Sequence, residues 1–337
     1  MKRYQYLDVA RGFGLLLVII SHSCGLSRFL INYYIPLFFV VSGYIYKEGR
    51  SYKENIEHKA KRLLIPYFGY SAVLLAVYVL MGRTLAETKA SAFGILYSRY
   101  CLYDTTVVKD NVYLFTVANG AMWYLTAFFA ASLVYHLVID RCLSDRKFLI
   151  GTLIVLTAIT MALADIPVLL PWSIDLACVG TIFMIAGTLL GRAQFFEKKW
   201  NIPLIAAVFV IYILTSCFDP GINMSIREYG IYGAFSVPFF IIVGLTGSLL
   251  CIWFGKLIEN TAPGRFIAYV GKNTIFLLAF HIFALEVVER IASKFIAIPV
   301  PGGAVVPFVL YHALRITAAV LGLSLIHISE PTRLALI

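Results

Sequence analysis

Two ionisable side chains in the first apolar segment have the types and the spacing that chemistry inside a membrane would need. Arg11 and His22 are eleven positions apart in the run DVARGFGLLLVIISH at 8–22. On an α-helix this separation is about three turns, so both side chains lie on nearly the same face, about 16 Å apart along the axis. An imidazole exchanges protons near neutral pH, and a guanidinium binds anions. Ionisable groups within a membrane span usually face a protein interior or a wet cavity, so we expect both residues to line one lumen.

Three neighbours of this pair affect how it could work. Asp8 lies close to the same helical stripe, and Gly12 and Gly14 leave room for the close approach of a neighbouring helix or a ligand. Two interpretations of Arg11 remain open at this point, because it could also be an ordinary cytoplasmic anchor for a first span. A histidine in a span is harder to explain as an anchor, since it needs hydrogen-bond partners inside the bundle.

Six blocks of sequence, spread over most of the chain, carry a family resemblance. They are YLDVARGFGLLLVIISHS at 6–23, IPLFFVVSGY at 35–44, KRLLIPYF at 61–68, MWYL at 122–125, LPWSIDLA at 170–177 and GKNTIFLLAFH at 271–281. Together they resemble the acyltransferase 3 family of bacterial membrane O-acyltransferases, and most closely its fucose 4-O-acetylase-like branch. An arginine and a histidine separated by ten residues in the first span are the signature of that family, and Arg11 and His22 match it.

The resemblance implies an enzyme of the bacterial cytoplasmic membrane that uses acetyl-CoA or another acyl-CoA as its donor. The acyl group, expected to be acetyl, would go to a hydroxyl of an extracytoplasmic or lipid-linked glycan, without a metal. His22 would be the general base, with Arg11 and Asp8 in the same catalytic group, because a neutral imidazole can take the proton of an attacking hydroxyl. An acyl-histidine intermediate remains open. The alternative function is a transporter or exporter of a glycan or small molecule without transferase activity.

The composition places the chain among multi-pass helical membrane proteins. It is 61% hydrophobic and 14% charged, and it contains repeated apolar runs of about 20 residues, the length that crosses a bilayer as a helix. This predicts an all-α integral membrane protein with about ten transmembrane helices in a single bundle, which forms one domain over residues 1–322. The predicted spans are 8–27, 31–47, 64–81, 120–139, 149–165, 174–192, 200–217, 232–254, 268–288 and 303–322.

The formal net charge of +10 reflects membrane orientation rather than binding to nucleic acid. Basic residues concentrate in alternate loops, and about twice as many lie on the side of the N-terminus as on the other side. This distribution predicts that both termini are cytoplasmic. Arg11 is then near the cytoplasmic boundary, and His22 lies past the midplane of a hydrocarbon core about 30 Å thick.

A basic cluster ends the polar segment that follows the second predicted span. Lys59, Lys61 and Arg62 precede Pro66 in the run KAKRLLIP. The cluster could attract the phosphates of an anionic cytosolic donor, because grouped cations raise the local concentration of anions. It could equally be a positive-inside signal that fixes orientation, and both interpretations can hold at once.

Four residues are candidates for the acceptor side of the site. The resemblance suggests Ser42 and Trp123, although a tryptophan in this context is by default an interfacial anchor. Asp175 could orient an imidazole or hold a sugar hydroxyl, or it could simply cap its helix. His281 is expected to face the bundle, where it could serve the site or bond a neighbouring helix. The six cysteines are scattered without close pairs, so no metal site is indicated.

The last residues of the chain need separate treatment. The run LSLIHISEPTR at 323–333 resembles the in-frame translation of a transposase adapter used to prepare sequencing libraries. We therefore expect residues 323–337 to be non-native, and we assign no role to their side chains.

Overall fold

A computed structural model describes residues 4–25, 28–105, 108–114, 120–198, 201–219, 223–299 and 305–329. Over these residues the regular secondary structure is helical, with twelve α-helices, short 3-10 turns and no strand. The predicted all-α class is therefore confirmed. The helices are α1 (Gln5–Cys24), α2 (Arg28–Tyr44), α3 (Tyr52–Leu80), α4 (Leu85–Tyr97), α5 (Trp123–Ser144), α6 (Arg146–Ala164), α7 (Ala177–Arg192), α8 (Ile202–Phe218), α9 (Val237–Ile258), α10 (Ala262–Lys272), α11 (Thr274–Ala292) and α12 (Val305–Ser329).

Nine of the ten predicted spans each overlap one of these helices, and α4 has no counterpart in the prediction. The ninth span, predicted over 268–288, runs across Asn273, where the structure separates α10 from α11. In the described part of the chain, seven helices are long and apolar enough to cross a membrane, namely α1, α3, α5, α6, α7 with the turn before it, α9 and α12. Two further helices, α2 and α8, are apolar but shorter. The chain is therefore a multi-pass membrane protein.

Helices at the margin of the bundle expose apolar side chains. Ile154 and Val155 on α6, and Phe209 and Leu214 on α8, are each more than half exposed. Such surfaces are unfavourable in water, but the tails of lipids are as apolar as these side chains. The outer faces of α6 and α8 are therefore suited to contact with lipid.

The start of the third span also differs from the prediction. The prediction begins this span at residue 64 and treats the polar segment before it as a loop. The structure continues α3 through this segment without a break. A capping box fixes its start, because the Ser51 hydroxyl accepts from the Glu54 N–H and the Glu54 carboxylate accepts from the Ser51 N–H. The basic cluster therefore lies on the first turns of a helix, where Lys59 and Arg62 are neighbours on one face.

Helices α2 and α7 pack closely because glycines remove side chains from their contact. A Cβ atom at Gly43 would lie 1.9 Å from the Met184 carbonyl oxygen, and one at Gly187 would lie 2.0 Å from the Val40 carbonyl oxygen. The hydroxyl of Thr188 donates to the Gly43 carbonyl oxygen across the same contact at 3.1 Å. Small residues of this kind let the backbones of membrane helices approach each other.

Helix α1 lies at the centre of the bundle and contacts α2, α9, α10, α11 and α12. A second pair of glycines allows α10 to lie against its N-terminal half. A Cβ atom at Gly12 would be 1.9 Å from the Ile267 carbonyl oxygen, and one at Gly271 would be 1.8 Å from the Asp8 carbonyl oxygen. The expectation that Gly12 leaves room for a neighbouring helix is confirmed.

Helix α12 continues past residue 322 and ends at Ser329. Leu323 is buried, and the Ser324 carbonyl oxygen accepts from the Tyr269 hydroxyl at 3.4 Å. These contacts do not bear on the origin of residues 323–337, which stays a prediction. Residues 330–337 lie outside the described residues.

We predict that Gly187→Ala lowers the free energy of unfolding by about 1–3 kcal/mol, the usual cost of overpacking, because the new methyl group meets the α2 backbone. Gly151→Ala on α6 is the matched control, since nothing beyond its own helix backbone and chain neighbours lies within 4 Å of its Cβ position. Thermal unfolding in detergent should show a lower Tm for the first variant only. Equal Tm values for both variants would contradict the packing described here.

Candidate active site

The two histidines predicted as separate candidates meet between α1 and α11. His22 Nδ1 lies 2.7 Å from His281 Nε2, and the two ring planes differ by 20° with their centroids 5.0 Å apart, so the rings meet edge to edge. The two residues are 259 positions apart in the sequence, so only the packing of α11 against α1 brings them together. His281 is fully buried, whereas His22 is exposed.

Among the described residues, three of the four ring nitrogens of this pair have partners, which leaves one for chemistry. His281 Nδ1 lies 2.8 Å from the Leu278 carbonyl oxygen on its own helix, so both nitrogens of His281 have partners. His22 Nε2 makes no hydrogen bond to the described residues. His22 is accessible and yet closely surrounded by protein, as expected for a side chain in a recess.

The C-terminal end of α1 is held by α12. The Arg315 guanidinium donates to the Ser23 carbonyl oxygen at 3.3 Å and to the Leu285 carbonyl oxygen at 3.2 Å, and it pairs with Glu289. The Ser23 hydroxyl lies 3.0 Å from His312 Nδ1. The last carbonyl groups of a helix lack partners within the helix, so a guanidinium there satisfies one of them and fixes the end of the helix.

The opposite end of α1 carries a group of cations. Arg11 pairs with Asp8 at 3.4 Å. Lys59 on α3 is half-buried, with its Nζ 3.2 Å from the Ser42 hydroxyl oxygen and 4.9 Å from the centre of the Phe128 ring. This arrangement brings together residues from α1, α2, α3 and α5.

The cations in this group outnumber the carboxylates. Lys59 interacts electrostatically with both Arg11 and Arg62, and no carboxylate of the described residues pairs with its ammonium. Arg62 and Lys61 are exposed. Because Lys59 lies near Arg11 and Arg62 and has no carboxylate partner among the described residues, the group is suited to an anionic ligand.

The structure separates Ser42 from the acceptor side. Helix α2 runs antiparallel to α1, so its last residues lie beside the first residues of α1. Ser42 therefore lies with Lys59 at the cationic end, and His22 lies at the other end of α1. The assignment of Ser42 to the acceptor stays a prediction.

Trp123 begins α5 and is half-buried, with its ring centroid 6.4 Å from that of Tyr124. Tyr124 packs against Phe38 and Phe39 and interacts electrostatically with Arg11. These partners lie within α1 and α2 rather than at their outer ends. Helix α5 therefore begins inside the bundle, deeper than an interfacial anchor requires.

His136 is a residue that sequence reasoning missed. It is buried on α5, beside the rings of Tyr135 and Tyr46 at 4.9 and 5.8 Å, and it interacts electrostatically with Lys59. Neither ring nitrogen has a hydrogen-bond partner among the described residues. The available signal was a histidine late in an apolar run, which needs an explanation wherever it occurs.

Asp175 does not join either end of this site, because it lies in a buried cluster of ion pairs. Its carboxylate accepts from Arg99 and lies 3.3 Å from Arg227 Nη1, and all three side chains are buried. Arg99 also donates to the Leu170 carbonyl oxygen at 3.1 Å and to the Ser225 carbonyl oxygen. The cluster connects three segments, which follow α4, precede α7 and follow α8. The carboxylate therefore stabilises the contact between these segments.

The arrangement as a whole offers two chemical capacities on one helix. An accessible imidazole with a free nitrogen at one end of α1 can take a proton from a nucleophile. Excess cations at the other end, about 16 Å away along the axis, can hold an anion. Among the described residues, no three His, Cys, Asp or Glu side chains group closely enough to hold a metal ion.

We predict that Asp175→Asn lowers the free energy of unfolding by about 3–5 kcal/mol, because it leaves two buried guanidiniums without a counter-charge. Glu48→Gln is the matched control. Its ion pair with Arg192 is 3.0 Å long but about half exposed, and exposed pairs contribute about 0–1 kcal/mol. Chemical unfolding in detergent would contradict the role of the cluster if both variants lost the same stability.

The comparisons with known proteins agree with the early resemblance at the level of the family. The family model described as an acyltransferase domain, that of the acyltransferase 3 family, matches residues 4–326. No curated protein and no solved structure compared with the chain matches it. The match includes both ends of α1 and the helices that supply their partners. Because it covers nearly the whole chain, this protein belongs to the acyltransferase 3 family.

Proposed function

We propose that this protein moves an acyl group, expected to be acetyl, from a cytosolic acyl-CoA to a hydroxyl of an extracytoplasmic or lipid-linked glycan. His22 is the general base in this proposal. The observation that carries it is the contact with His281, which holds one nitrogen of His22 and leaves Nε2 without a partner among the described residues. Membership of the family supports acyl transfer, and the resemblance to the fucose 4-O-acetylase-like branch supports the acetyl group and the glycan.

The cations at the start of α1 support binding of the donor at that end. An acyl-CoA is anionic at its nucleotide end, and guanidinium and ammonium groups bind phosphate oxygens. Lys59 and Arg11 supply charge inside the bundle, while Lys61 and Arg62 supply it at the exposed rim. The half-buried ammonium of Lys59 gains most from an anion, since no carboxylate of the described residues neutralises it.

The separation of the two ends supports a long, flexible donor. From Arg11 to His22 the axis of α1 rises by about 16 Å. An acyl-CoA carries its thioester at the end of an extended arm, so its phosphates can stay with the cations while the thioester reaches His22. A compact acyl donor would not engage both ends of the helix at once.

The chemistry needs one group that takes a proton and later returns it. Nε2 of neutral His22 accepts the proton of the acceptor hydroxyl as the hydroxyl oxygen attacks the carbonyl carbon of the thioester. The carbon–sulfur bond then breaks, and the departing thiolate takes the proton from the imidazolium. The products are an ester and the free thiol of CoA, and His22 is neutral again.

Two observations lead us to propose fewer residues for the acceptor side than the sequence suggested. Ser42 lies with the cations, and Asp175 is held by two arginines, so we retain neither for the acceptor. Trp123, half-buried at the start of α5, remains a candidate for contact with the sugar. Asp8 pairs with Arg11, and we propose that it orients that guanidinium toward the donor.

The test of this proposal is that variants at the two ends of α1 should fail in different steps. His22→Ala should keep donor binding and lower single-turnover transfer by about 10² to 10⁴-fold, the contribution of a general base. Lys59→Met should weaken donor binding, whereas Lys53→Met on the exposed face of the same helix is the matched control and should bind normally.

Acyl-CoA binding to purified protein and transfer to a glycan acceptor are measured side by side. Unchanged turnover in His22→Ala would overturn the mechanism. Uptake or efflux of a glycan in proteoliposomes without consumption of acyl-CoA would favour a transporter instead.

The proposed orientation gives a separate prediction about the start of α3 and about α4, which follows its other end. With a cytoplasmic N-terminus, a cysteine in place of Lys53 lies inside the cell and one in place of Lys89 lies outside. Both lysines are exposed, so the two variants are matched. An impermeant thiol reagent should label only Lys89→Cys above the parent protein in intact cells, and both variants after lysis. The reverse pattern would invert the assignment of sides.

A further inference from the structure

We propose that His281 is a positioning residue that fixes His22 in the tautomer whose Nε2 is unprotonated. This inference rests on the proposed function of His22, but it concerns the role of a different residue and can be tested without turnover. It follows from a chain of three groups, in which the Leu278 carbonyl, the His281 ring and the His22 ring lie in sequence.

The first step is set by the backbone. The Leu278 carbonyl oxygen lies 2.8 Å from His281 Nδ1, and a carbonyl oxygen can only accept a hydrogen bond. The proton of this contact therefore belongs to His281 Nδ1. Both groups are on α11, so the assignment does not depend on how the helices pack.

The second step is set by burial. His281 is fully buried, and its ring nitrogens contact a carbonyl oxygen and an imidazole rather than a carboxylate. A charged imidazole without a counter-charge is costly in such surroundings, so His281 stays neutral. A neutral imidazole with its proton on Nδ1 has a lone pair on Nε2.

The third step transfers this constraint to His22. Its Nδ1 lies 2.7 Å from His281 Nε2, which can only accept, so His22 Nδ1 carries the proton and donates it. His22 is then neutral with a lone pair on Nε2, the nitrogen that has no partner among the described residues. That is the form a general base needs, since the opposite tautomer would present an N–H to the acceptor hydroxyl.

The arrangement performs the task that a buried carboxylate performs in serine hydrolases, where the acceptor behind the imidazole selects its tautomer. Here the acceptor is a neutral ring backed by a carbonyl group. A carboxylate inside a membrane span is costly, so a neutral acceptor sets the tautomer without placing a charge there. When Nε2 takes a proton during the reaction, the imidazolium keeps its hydrogen bond to His281.

Two substitutions of His281 separate this role from simple packing. His281→Leu fills space but cannot accept a hydrogen bond, so it should lower single-turnover transfer by about 10²-fold or more, as expected when the tautomer is no longer selected. His281→Gln can present its amide oxygen to His22 Nδ1 and should retain transfer within about tenfold of the parent protein. Donor binding should be unchanged in both variants, because the donor cations lie at the other end of α1.

The tautomer itself is read by nitrogen NMR of protein labelled in its six histidine rings. His22 is identified by the signals that disappear in His22→Ala. We expect a protonated Nδ1 and an unprotonated Nε2 in the parent protein, and a mixture of tautomers in His281→Leu. A protonated Nε2 in the parent, or equal transfer by the Leu and Gln variants, would overturn the inference. The NMR result stands even if no tested acceptor is acylated, so failure of the proposed function is recognised separately.

Discussion

Backbone atoms of α1 and α10 make one of the closest helix contacts in the bundle, where Gly12 and Gly271 each face a carbonyl group of the other helix. In lipid there is little hydrophobic force between helices, so association depends on such close packing. Because α1 contacts five helices, its depth in the bundle decides which side chains meet at its two ends. A protein interior is packed at crystal density, so a methyl group added at Gly12 or Gly271 would displace α1. That displacement would move His22 relative to α11 and Arg11 relative to α3.

Polar groups in this bundle are satisfied in two different ways. The Asp175 cluster contains three charged side chains, and it lies where loops meet and many backbone carbonyl groups are available as acceptors. The contact of His22 with His281 contains no formal charge and uses a single carbonyl group. Since charge is costly in a membrane interior, the neutral contact suits its place between α1 and α11, and the charged cluster of Asp175 lies where loops meet.

Much of this architecture could be predicted from the sequence because lipid imposes simple rules. Apolar runs long enough to cross a bilayer identified the seven long apolar helices of the described residues, and the spacing of Arg11 and His22 placed both on one helix. The extent of α3 was not predicted, since a capping box at Ser51 overrides the polar composition of its first turns.

Contacts between distant segments could not be predicted from the sequence either. His281 was a candidate, but nothing in either segment encodes its distance from His22, which depends on the order in which helices surround α1. Asp175 was assigned to the acceptor because its two arginine partners lie 76 and 52 positions away in loops of irregular structure. Ionisable residues in a membrane protein can be listed from the sequence, whereas their pairing depends on packing.

The ammonium of Lys59 lies beside the Ser42 hydroxyl and the Phe128 ring, and within the described residues no carboxylate pairs with it. A phosphate that neutralises this charge would bind the folded protein and not the unfolded chain. Such a ligand stabilises the fold by RT ln(1 + [L]/Kd), about 2.7 kcal/mol at a hundred times Kd. The stability of the folded protein would then depend on the concentration of this ligand. Cells short of such a ligand would then hold a less stable form of the protein, and purification without the ligand would yield that form.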